Sequence, residues 1–194
     1  MKLYAKCLML MVVVLASSAL FAQSGTANSP HGTLEVAIGY KFSYANTTSP
    51  YQFWQNGGSV ELHGQFWKGL GVVGRVDVLH NSDMQHTGVG LDLVTTVAGP
   101  RYTWTPGKSR FSYYGEVLGG NSKGLNSQFP VDSGFVASAD SAAFLLGGGV
   151  NYHIKKWLGV RLLDTHWMRT DFPNATTGNQ NTLVAGAGVV FRLP

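Results

Sequence analysis

Long stretches of alternating polarity are the feature that most restricts the fold of this chain. Residues 34–44, LEVAIGYKFSY, carry an apolar side chain at every even position and a small, polar or charged one between them. This period of two predicts a β-strand, because successive side chains of a strand point to opposite faces. The stretch has about the length of a transmembrane β-strand, ~9–11 residues.

The same alternation recurs along the chain and predicts eight strands and no helix. These strands lie at residues 34–44, 58–67, 70–80, 88–104, 111–120, 142–154, 158–171 and 182–193. The alternation slips near Gly99 and Pro100, which predicts a β-bulge there, and it is less regular in 158–171. Gly147 and Gly149 fall inside a strand, on the face expected to point inward, where small residues leave room for larger neighbours.

The connections between these strands alternate in length. Three are tight, at residues 67–69, 105–109 and 155–156, and four are longer and polar, at residues 46–57, 81–87, 121–141 and 172–181. With an even number of strands, all tight turns and both termini lie at one end and all long loops at the other. Outer-membrane barrels show this arrangement. The pattern therefore predicts an all-β fold, an eight-stranded antiparallel up-and-down transmembrane β-barrel.

The two faces of the strands favour a barrel in lipid over a soluble lipocalin-like barrel, which needs an apolar interior. On the continuously apolar face we expect lipid contact at Leu34, Val36, Ile38, Val72, Val76, Leu91, Phe144 and Val189. On the opposite face we expect Glu35, Lys41, Glu61, Arg75, Asp77, Asp92 and Glu116. Charges inside a narrow barrel must pair, because a lone buried charge is strongly destabilising.

Aromatic residues gather near the predicted strand ends, as in the two aromatic belts at membrane interfaces. At the tight-turn end they are Trp67, Tyr102, Trp104, Phe111, Tyr113, Tyr152 and Trp157. At the long-loop end they are Tyr44, Tyr51, Phe53, Trp54, Trp167 and Phe172.

Residues 1–22 predict a secretory signal peptide, with basic residues, an apolar stretch and then small residues. Cleavage after Ala19 or Ala22 would leave a short segment at 23–32 and a barrel at 33–194. Loss of Lys2 and Lys6 reduces the net charge from +4 to +2, which is too small to indicate binding of nucleic acid. Loss of Cys7 excludes disulfides from the exported chain.

Four segments carry a resemblance to a known family. They are GPRYTW at 99–104, LGGGVNY at 146–152, LGVRLLDTHWMRT at 158–170 and GAGVVFRLP at 186–194. Together with the leader, they resemble the outer-membrane β-barrel domain family, whose OmpA/OmpX-like members are small eight-stranded barrels. The resemblance implies a location in the bacterial outer membrane. It also implies outer-membrane lipid and the barrel-assembly machinery as partners.

Candidate catalytic and metal-binding residues are few. The His80-Asn81-Ser82 tripeptide has the His-x-Ser spacing of barrel lipid A deacylases, and Asp83 or Asp92 could orient the histidine; an ordinary polar loop is the preferred interpretation. No two histidines have a ligand-like spacing on one strand face; those considered are His63, His80, His86, His153 and His166. We therefore expect no catalytic residue, metal site or cofactor.

The longest predicted loop, residues 121–141, contains apolar side chains among polar ones: Leu125, Phe129, Val131, Phe135 and Val136. Such a loop could bind an external partner or fold over the barrel mouth, and a loop without fixed structure is the alternative. A barrel filled by side chains leaves at most a very narrow pore.

These features together predict an outer-membrane barrel with a structural, adhesive or interaction role through its external loops. A barrel-embedded lipid A-modifying hydrolase and a secreted soluble lipocalin-like binding barrel are the two alternatives.

Overall fold

The computed structural model describes residues 33–45, 53–83, 88–131, 134–173 and 178–193. The predicted signal peptide at 1–22 and the segment 23–32 lie outside these ranges. No helix in the described ranges has the length and apolar character needed to cross a membrane.

The described ranges form β-strands that were expected from the alternation, together with one small hairpin. The strands are β1 (Thr33–Ala45), β2 (Phe53–Trp67), β3 (Leu70–Asn81), β4 (Leu91–Trp104), β5 (Phe111–Leu125), β6 (Phe129–Val131), β7 (Gly134–Val136), β8 (Ala139–His153), β9 (Leu158–Thr170) and β10 (Gln180–Leu193). Eight of them close into a barrel in the order β1-β10-β9-β8-β5-β4-β3-β2, and β6 pairs with β7 alone. The predicted eight-stranded antiparallel up-and-down barrel is therefore confirmed.

The barrel closes where the first strand meets the last. β1 pairs antiparallel with β10 from Leu34 opposite Leu193 to Tyr44 opposite Leu183. This ladder leaves no free sheet edge, so the backbone groups of the barrel strands are hydrogen-bonded to neighbouring strands.

The tight connections are short turns, as predicted. Between β2 and β3 the chain turns at Lys68 and Gly69, whose φ angles of 39° and 94° lie in the left-handed region. Glycine at the second position allows this turn at little steric cost. The other short connections join β4 to β5 and β8 to β9, so all three lie at the end of the barrel that holds both chain termini of the described part.

The bulge predicted at Gly99 and Pro100 is wrong. The register of β4 with β3 runs through both residues without a shift. β4 also pairs with β5 in the same register before and after these two residues. Pro100 has no N–H group to donate to a neighbouring strand, but neither strand contains the extra residue that a bulge requires. A bulge does break the alternation in β9, where Leu162 and Leu163 both point outward.

The predicted faces are correct on β1, β2, β3, β8 and β10 and inverted on part of β4. Leu91, Leu93 and Val97 are buried inside the barrel, whereas Asp92 points outward. The predictions of Leu91 at lipid and of Asp92 in the interior are therefore wrong. The physical reason is that an apolar cluster occupies much of the long-loop half of the interior, so both faces of β4 carry apolar residues there.

Residues 121–141, predicted as a loop, are mostly paired. β5 continues to Leu125 and β8 begins at Ala139, with ladder pairs as far as Gly124 opposite Ala139. The β6–β7 hairpin occupies the connection between them. Cross-strand hydrogen bonds thus extend this part of the sheet through a sequence rich in Ser, Asn and Gly, whose composition suggested a loop.

The paired glycines of β8 make room for interior side chains, as expected. A Cβ atom added to Gly149 would lie 2.2 Å from the carbonyl oxygen of Leu163 and 2.6 Å from the hydroxyl oxygen of Tyr114. One added to Gly147 would lie 2.1 Å from the carbonyl oxygen of Thr165 and 2.5 Å from the His166 ring. All of these contacts are shorter than van der Waals distance. These glycines therefore let Tyr114 and His166 reach the centre of the barrel.

Candidate functional site

A set of buried charged side chains crosses the barrel interior, and we call it the ion-pair belt. Each member is at most 4% exposed. The belt comprises Lys41, Glu61, Arg75, Arg101, Glu116, Arg161, Asp164 and His166. Asp77 is buried among them, although its Oδ1 has no hydrogen-bond partner in the described part of the chain. The predicted interior positions of Lys41, Glu61, Arg75, Asp77 and Glu116 are confirmed.

Glu61 on β2 is the hub of the belt, because its carboxylate accepts hydrogen bonds from three guanidinium groups. Arg75 Nη2 donates to Glu61 Oε2 at 2.6 Å, and Arg101 Nη1 donates to Oε1 at 2.6 Å. Arg161 binds both oxygens, at 2.8 and 2.9 Å. Arginine suits this role because its planar fork can donate two hydrogen bonds to one carboxylate.

The β9 bulge brings a second carboxylate into the belt. Because Leu162 and Leu163 both point outward, Arg161 and Asp164 both point inward and lie 3.3 Å apart as an ion pair. Asp164 also pairs with Lys41 from β1. The less regular alternation of 158–171 was the only signal of this arrangement in the sequence.

Tyr114 on β5 lies between two arginines of the belt. The guanidinium carbons of Arg101 and Arg161 lie 4.2 and 4.8 Å from the centre of its ring. Its hydroxyl donates to Asp164 Oδ1 at 2.8 Å. Cation–π contact and this hydrogen bond together satisfy a tyrosine that is almost completely buried.

A separate ion-pair cluster lies at the tight-turn end. Glu35 on β1 accepts a hydrogen bond from Arg192 Nη2 at 2.6 Å and lies 3.2 Å from His63 Nδ1. The predicted interior position of Glu35 is therefore confirmed, whereas its link to Arg192 depends on the closure of β1 against β10.

The long-loop half of the interior holds a cluster of apolar side chains, which we call the apolar plug, among buried Ser, Thr and Gln side chains. Phe129 from the β6–β7 hairpin is fully buried and stacks on Phe172, with ring centres 5.5 Å apart. The other large members are Phe53, Leu79, Leu91, Leu93, Leu118, Leu145 and Met168. The hairpin therefore folds over the barrel mouth, one of the two roles considered for residues 121–141.

The opposite side of the same hairpin remains exposed. The side chain of Phe135 is 70% exposed, and those of Val131 and Val136 are exposed by about two fifths. One hairpin thus both closes the mouth, through Phe129, and presents apolar surface at the long-loop end.

One trio of the belt has a spacing that could suit a metal ion. Single ligand atoms of Glu116, Asp164 and His166 lie within 4.8 Å of one another. However, Arg75 forms ion pairs with both carboxylates, at 2.8 and 3.4 Å, and His166 Nε2 lies 2.6 Å from Glu116 Oε1. These contacts engage the ligand atoms, and the surrounding arginines disfavour a further cation. The trio belongs to the ion-pair belt.

The His80 tripeptide lies at the long-loop end of β3. His80 points outward, and its Nδ1 lies 2.5 Å from Asp92 Oδ1, so the predicted contact with Asp92 exists. Asn126 also donates to Asp92. In the described part of the chain no hydrogen bond joins Ser82 to His80. The histidine is therefore oriented by a carboxylate, but the described contacts do not link it to the serine as a hydrolase would need.

Exposed aromatic rings follow both ends of the strands, as predicted. Trp67, Tyr102, Trp104 and Trp157 are more than half exposed at the tight-turn end. Trp54 packs against Tyr44 at the long-loop end, with ring centres 4.8 Å apart and ring planes tilted by 44°. Phe53 and Phe172 were predicted to lie in the aromatic belt at the long-loop end. That prediction is wrong, because both side chains are buried in the apolar plug. Tyr51 lies outside the described residues.

No protein-family model and no curated protein matches the chain. Similar solved structures exist. Neisserial surface protein A has a TM-score of 0.62 at 14% identity, with 84% of this chain and 100% of that chain covered. Ail, the attachment invasion locus protein of Yersinia pestis, solved with the heparin analogue sucrose octasulfate, has a TM-score of 0.53 at 18% identity, with the same coverage.

The outer membrane protein OprG from Pseudomonas aeruginosa is similar over 86% of this chain and 98% of that chain, with a TM-score of 0.52 at 9% identity. At sequence identities this low, the similarity between this chain and these structures is a similarity of fold. The protein has the fold of the small eight-stranded outer-membrane β-barrels.

Proposed function

We propose that the protein is an integral barrel of the bacterial outer membrane that acts through its external surface rather than through its interior. The outward face supports a membrane location. Ile38, Val72 and Leu146 are about half exposed at mid-strand positions, and aromatic belts flank that apolar surface at both ends. Side chains of this kind are stable in hydrocarbon, whereas in water they would form a large apolar patch.

The observation that carries the proposal is the filled interior. The ion-pair belt crosses the interior, and the apolar plug occupies much of the half towards the long loops. A hydrated ion would have to break the contacts of Glu61 with its three arginines and then pass the rings of Phe129 and Phe172. This argues for a structural, adhesive or interaction role and against transport through the barrel.

The residue types exposed at the long-loop end indicate which kind of partner the protein would bind. The connections at 46–52, 82–90, 126–138 and 171–179 contain no Lys or Arg, and their ionised residues are Asp83, Asp132 and Asp171. These connections themselves offer no cation to a sulfated ligand, such as the one bound in the Ail structure, and the nearby strand-end cations Lys123 and Arg169 are paired with Asp140 and Asp171. Apolar contact through Phe135 and its neighbours on the hairpin is the interaction that this surface favours.

The two alternatives have weaker support. A lipocalin-like barrel needs an apolar interior cavity and a polar exterior, which is the reverse of the ion-pair belt and the apolar outer face. A lipid A-modifying hydrolase needs contact between nucleophile and base, and the described contacts of His80 lead to Asp92 only. We therefore propose a non-enzymatic role, with outer-membrane lipid and the barrel-assembly machinery as the expected partners.

Fractionation and conductance measurements test this proposal. The protein should sediment with the outer membrane, should need detergent for extraction, and should migrate differently on gels before and after heating. Reconstituted in planar bilayers, it should give no stable conductance steps. Recovery in the soluble periplasmic fraction would overturn the membrane assignment. Reproducible conductance steps from the purified protein would contradict the claim that the interior is closed to ions.

A further inference from the structure

Positive charge is concentrated at the tight-turn end of the barrel. Every ionised side chain in segments 67–69, 105–110 and 154–157 is basic: Lys68, Lys108, Arg110, Lys155 and Lys156. The ionised residues of the long connections at the other end are all acidic. This asymmetry means that the two ends of the barrel attract opposite kinds of ligand.

Three of these basic residues line one pocket of about 470 Å³. Arg110 follows the β4–β5 turn, Lys155 and Lys156 form the β8–β9 turn, and His153 and Arg192 contribute from strand ends. No carboxylate lines this pocket.

Backbone hydrogen bonds fix the walls of the pocket. His153 N donates to the carbonyl oxygen of Arg110 at 2.8 Å, which joins the two turns. Arg192 N donates to the carbonyl oxygen of Trp157 at 2.9 Å, which joins the end of β10 to the β8–β9 turn. The cations therefore converge on one place because the backbone holds their segments together.

The charge of the pocket is only partly neutralised. Arg192 forms its ion pair with Glu35 at 2.6 Å. Lys155 lies 5.6 Å from the centre of the Trp157 ring. Within the described ranges, no ion pair joins Arg110, Lys155 or Lys156 to a carboxylate. Three like charges close together repel one another, and an anion with several oxygens would relieve that repulsion.

We propose that this pocket binds a phosphate group. A guanidinium and two ammonium groups supply the charge, and the hydroxyl groups of Thr105 and Ser109 in the pocket wall supply further donors. Trp104 and Trp157 are about half exposed beside the pocket. Such rings mark the headgroup level of a membrane, so an anionic phospholipid headgroup and a free phosphate both match this chemistry. The phospholipid source rests on the proposed membrane location.

Binding can be measured in nanodiscs that differ in lipid and in protein. The full chain is reconstituted in phosphatidylcholine alone and in phosphatidylcholine with phosphatidylglycerol, and bound phosphatidylglycerol is counted by native mass spectrometry. Inorganic phosphate is titrated into the phosphatidylcholine discs while the amide resonances of residues 153–157 are followed by NMR. The test variant is Lys155→Gln/Lys156→Gln. The matched control, Lys68→Gln/Lys108→Gln, removes the same charge at the same end but at two residues that do not line the pocket.

The test variant should bind the phosphate ligand about thirty-fold more weakly, from the loss of the two lysines that line the pocket, whereas the control, whose lysines do not line it, should bind much more like the parent chain. If the parent chain retains phosphatidylglycerol but its amide resonances do not respond to inorganic phosphate, the ligand is the lipid headgroup. If inorganic phosphate shifts the resonances and phosphatidylglycerol is not retained, the ligand is free phosphate. Equal binding by the two variants, or no binding by the parent chain in either arm, would overturn the site. Failure to insert into nanodiscs would instead overturn the proposed membrane location.

Discussion

Glu61 on β2 and Arg161 on β9 are joined by two hydrogen bonds of 2.8 and 2.9 Å across the barrel interior. Their strands are separated by β1 and β10 in the barrel order, so the contact connects walls that share no ladder. Charged side chains therefore tie together opposite parts of the barrel, a task that apolar residues perform in most soluble cores.

Glu61→Gln should lower the free energy of unfolding by about 3–5 kcal/mol, because it leaves three buried arginines short of a counter-charge. Guanidinium unfolding in lipid vesicles would measure the change. Asp171→Asn is the matched control, since Asp171 forms an exposed pair with Arg169 at 3.6 Å and should change stability by less than about 1 kcal/mol. Equal losses in the two variants would contradict the role of Glu61 as the hub of the belt.

Phe129→Ala should destabilise the barrel by about 3–5 kcal/mol, because it removes a fully buried ring from the apolar plug. It should also increase amide hydrogen exchange in the β6–β7 hairpin. Phe135→Ala on the same hairpin is the control, and its 70% exposed ring should leave both quantities nearly unchanged. If Phe135→Ala proved as disruptive as Phe129→Ala, the plug would not be held by Phe129.

Ile38→Arg should cost about 2–4 kcal/mol in bilayers, because it places a charge on the lipid-facing surface near the middle of β1. The comparison is Ser82→Arg, at an exposed position beyond β3, where a surface substitution should change the unfolding free energy by less than about 0.5 kcal/mol. Similar tolerance of arginine at both positions would argue that the outer face of β1 meets water.

Gly149→Ala should reduce the folded fraction, because its methyl group would lie 2.2 Å from the Leu163 carbonyl oxygen and 2.6 Å from the Tyr114 hydroxyl oxygen. Overpacking of this kind typically costs about 1–3 kcal/mol. Gly74→Ala is the control, since no atom lies within 4 Å of a Cβ atom built there. The folded fraction can be read from gel mobility before and after heating. A well-folded Gly149→Ala protein would show that this glycine does not serve to admit Tyr114.

Alternation was sufficient to predict the strands and the barrel, because the period of two follows directly from strand geometry. It could not decide which face of β4 points inward near the long loops, where Leu93 and Val94 are both apolar. Only the closed barrel, with its apolar plug above the ion-pair belt, determines that Leu93 is inside.

The belt itself was predicted in part. Glu61 and Arg75 lie in regular strands, and their inward positions could be read from the sequence. Arg161 and Asp164 are separated by three positions, and an uninterrupted strand would place them on opposite faces. Their common inward position depends on the outward bulge at Leu162 and Leu163, which the pairing with β8 and β10 reveals. Arg101 follows the position where a bulge was wrongly expected, and it was not among the predicted interior residues.

Labelling from outside the cell would show whether the long-loop end of the barrel, which carries the proposed interaction surface, faces outward. Cys7 is the single cysteine of the sequence, so one cysteine placed at Phe135 and another at Lys108, in separate variants, would report the two ends. A membrane-impermeant maleimide should label the Phe135→Cys protein on intact cells, and the Lys108→Cys protein only after the outer membrane is permeabilised. Labelling of Lys108→Cys on intact cells, with none of Phe135→Cys, would contradict the account.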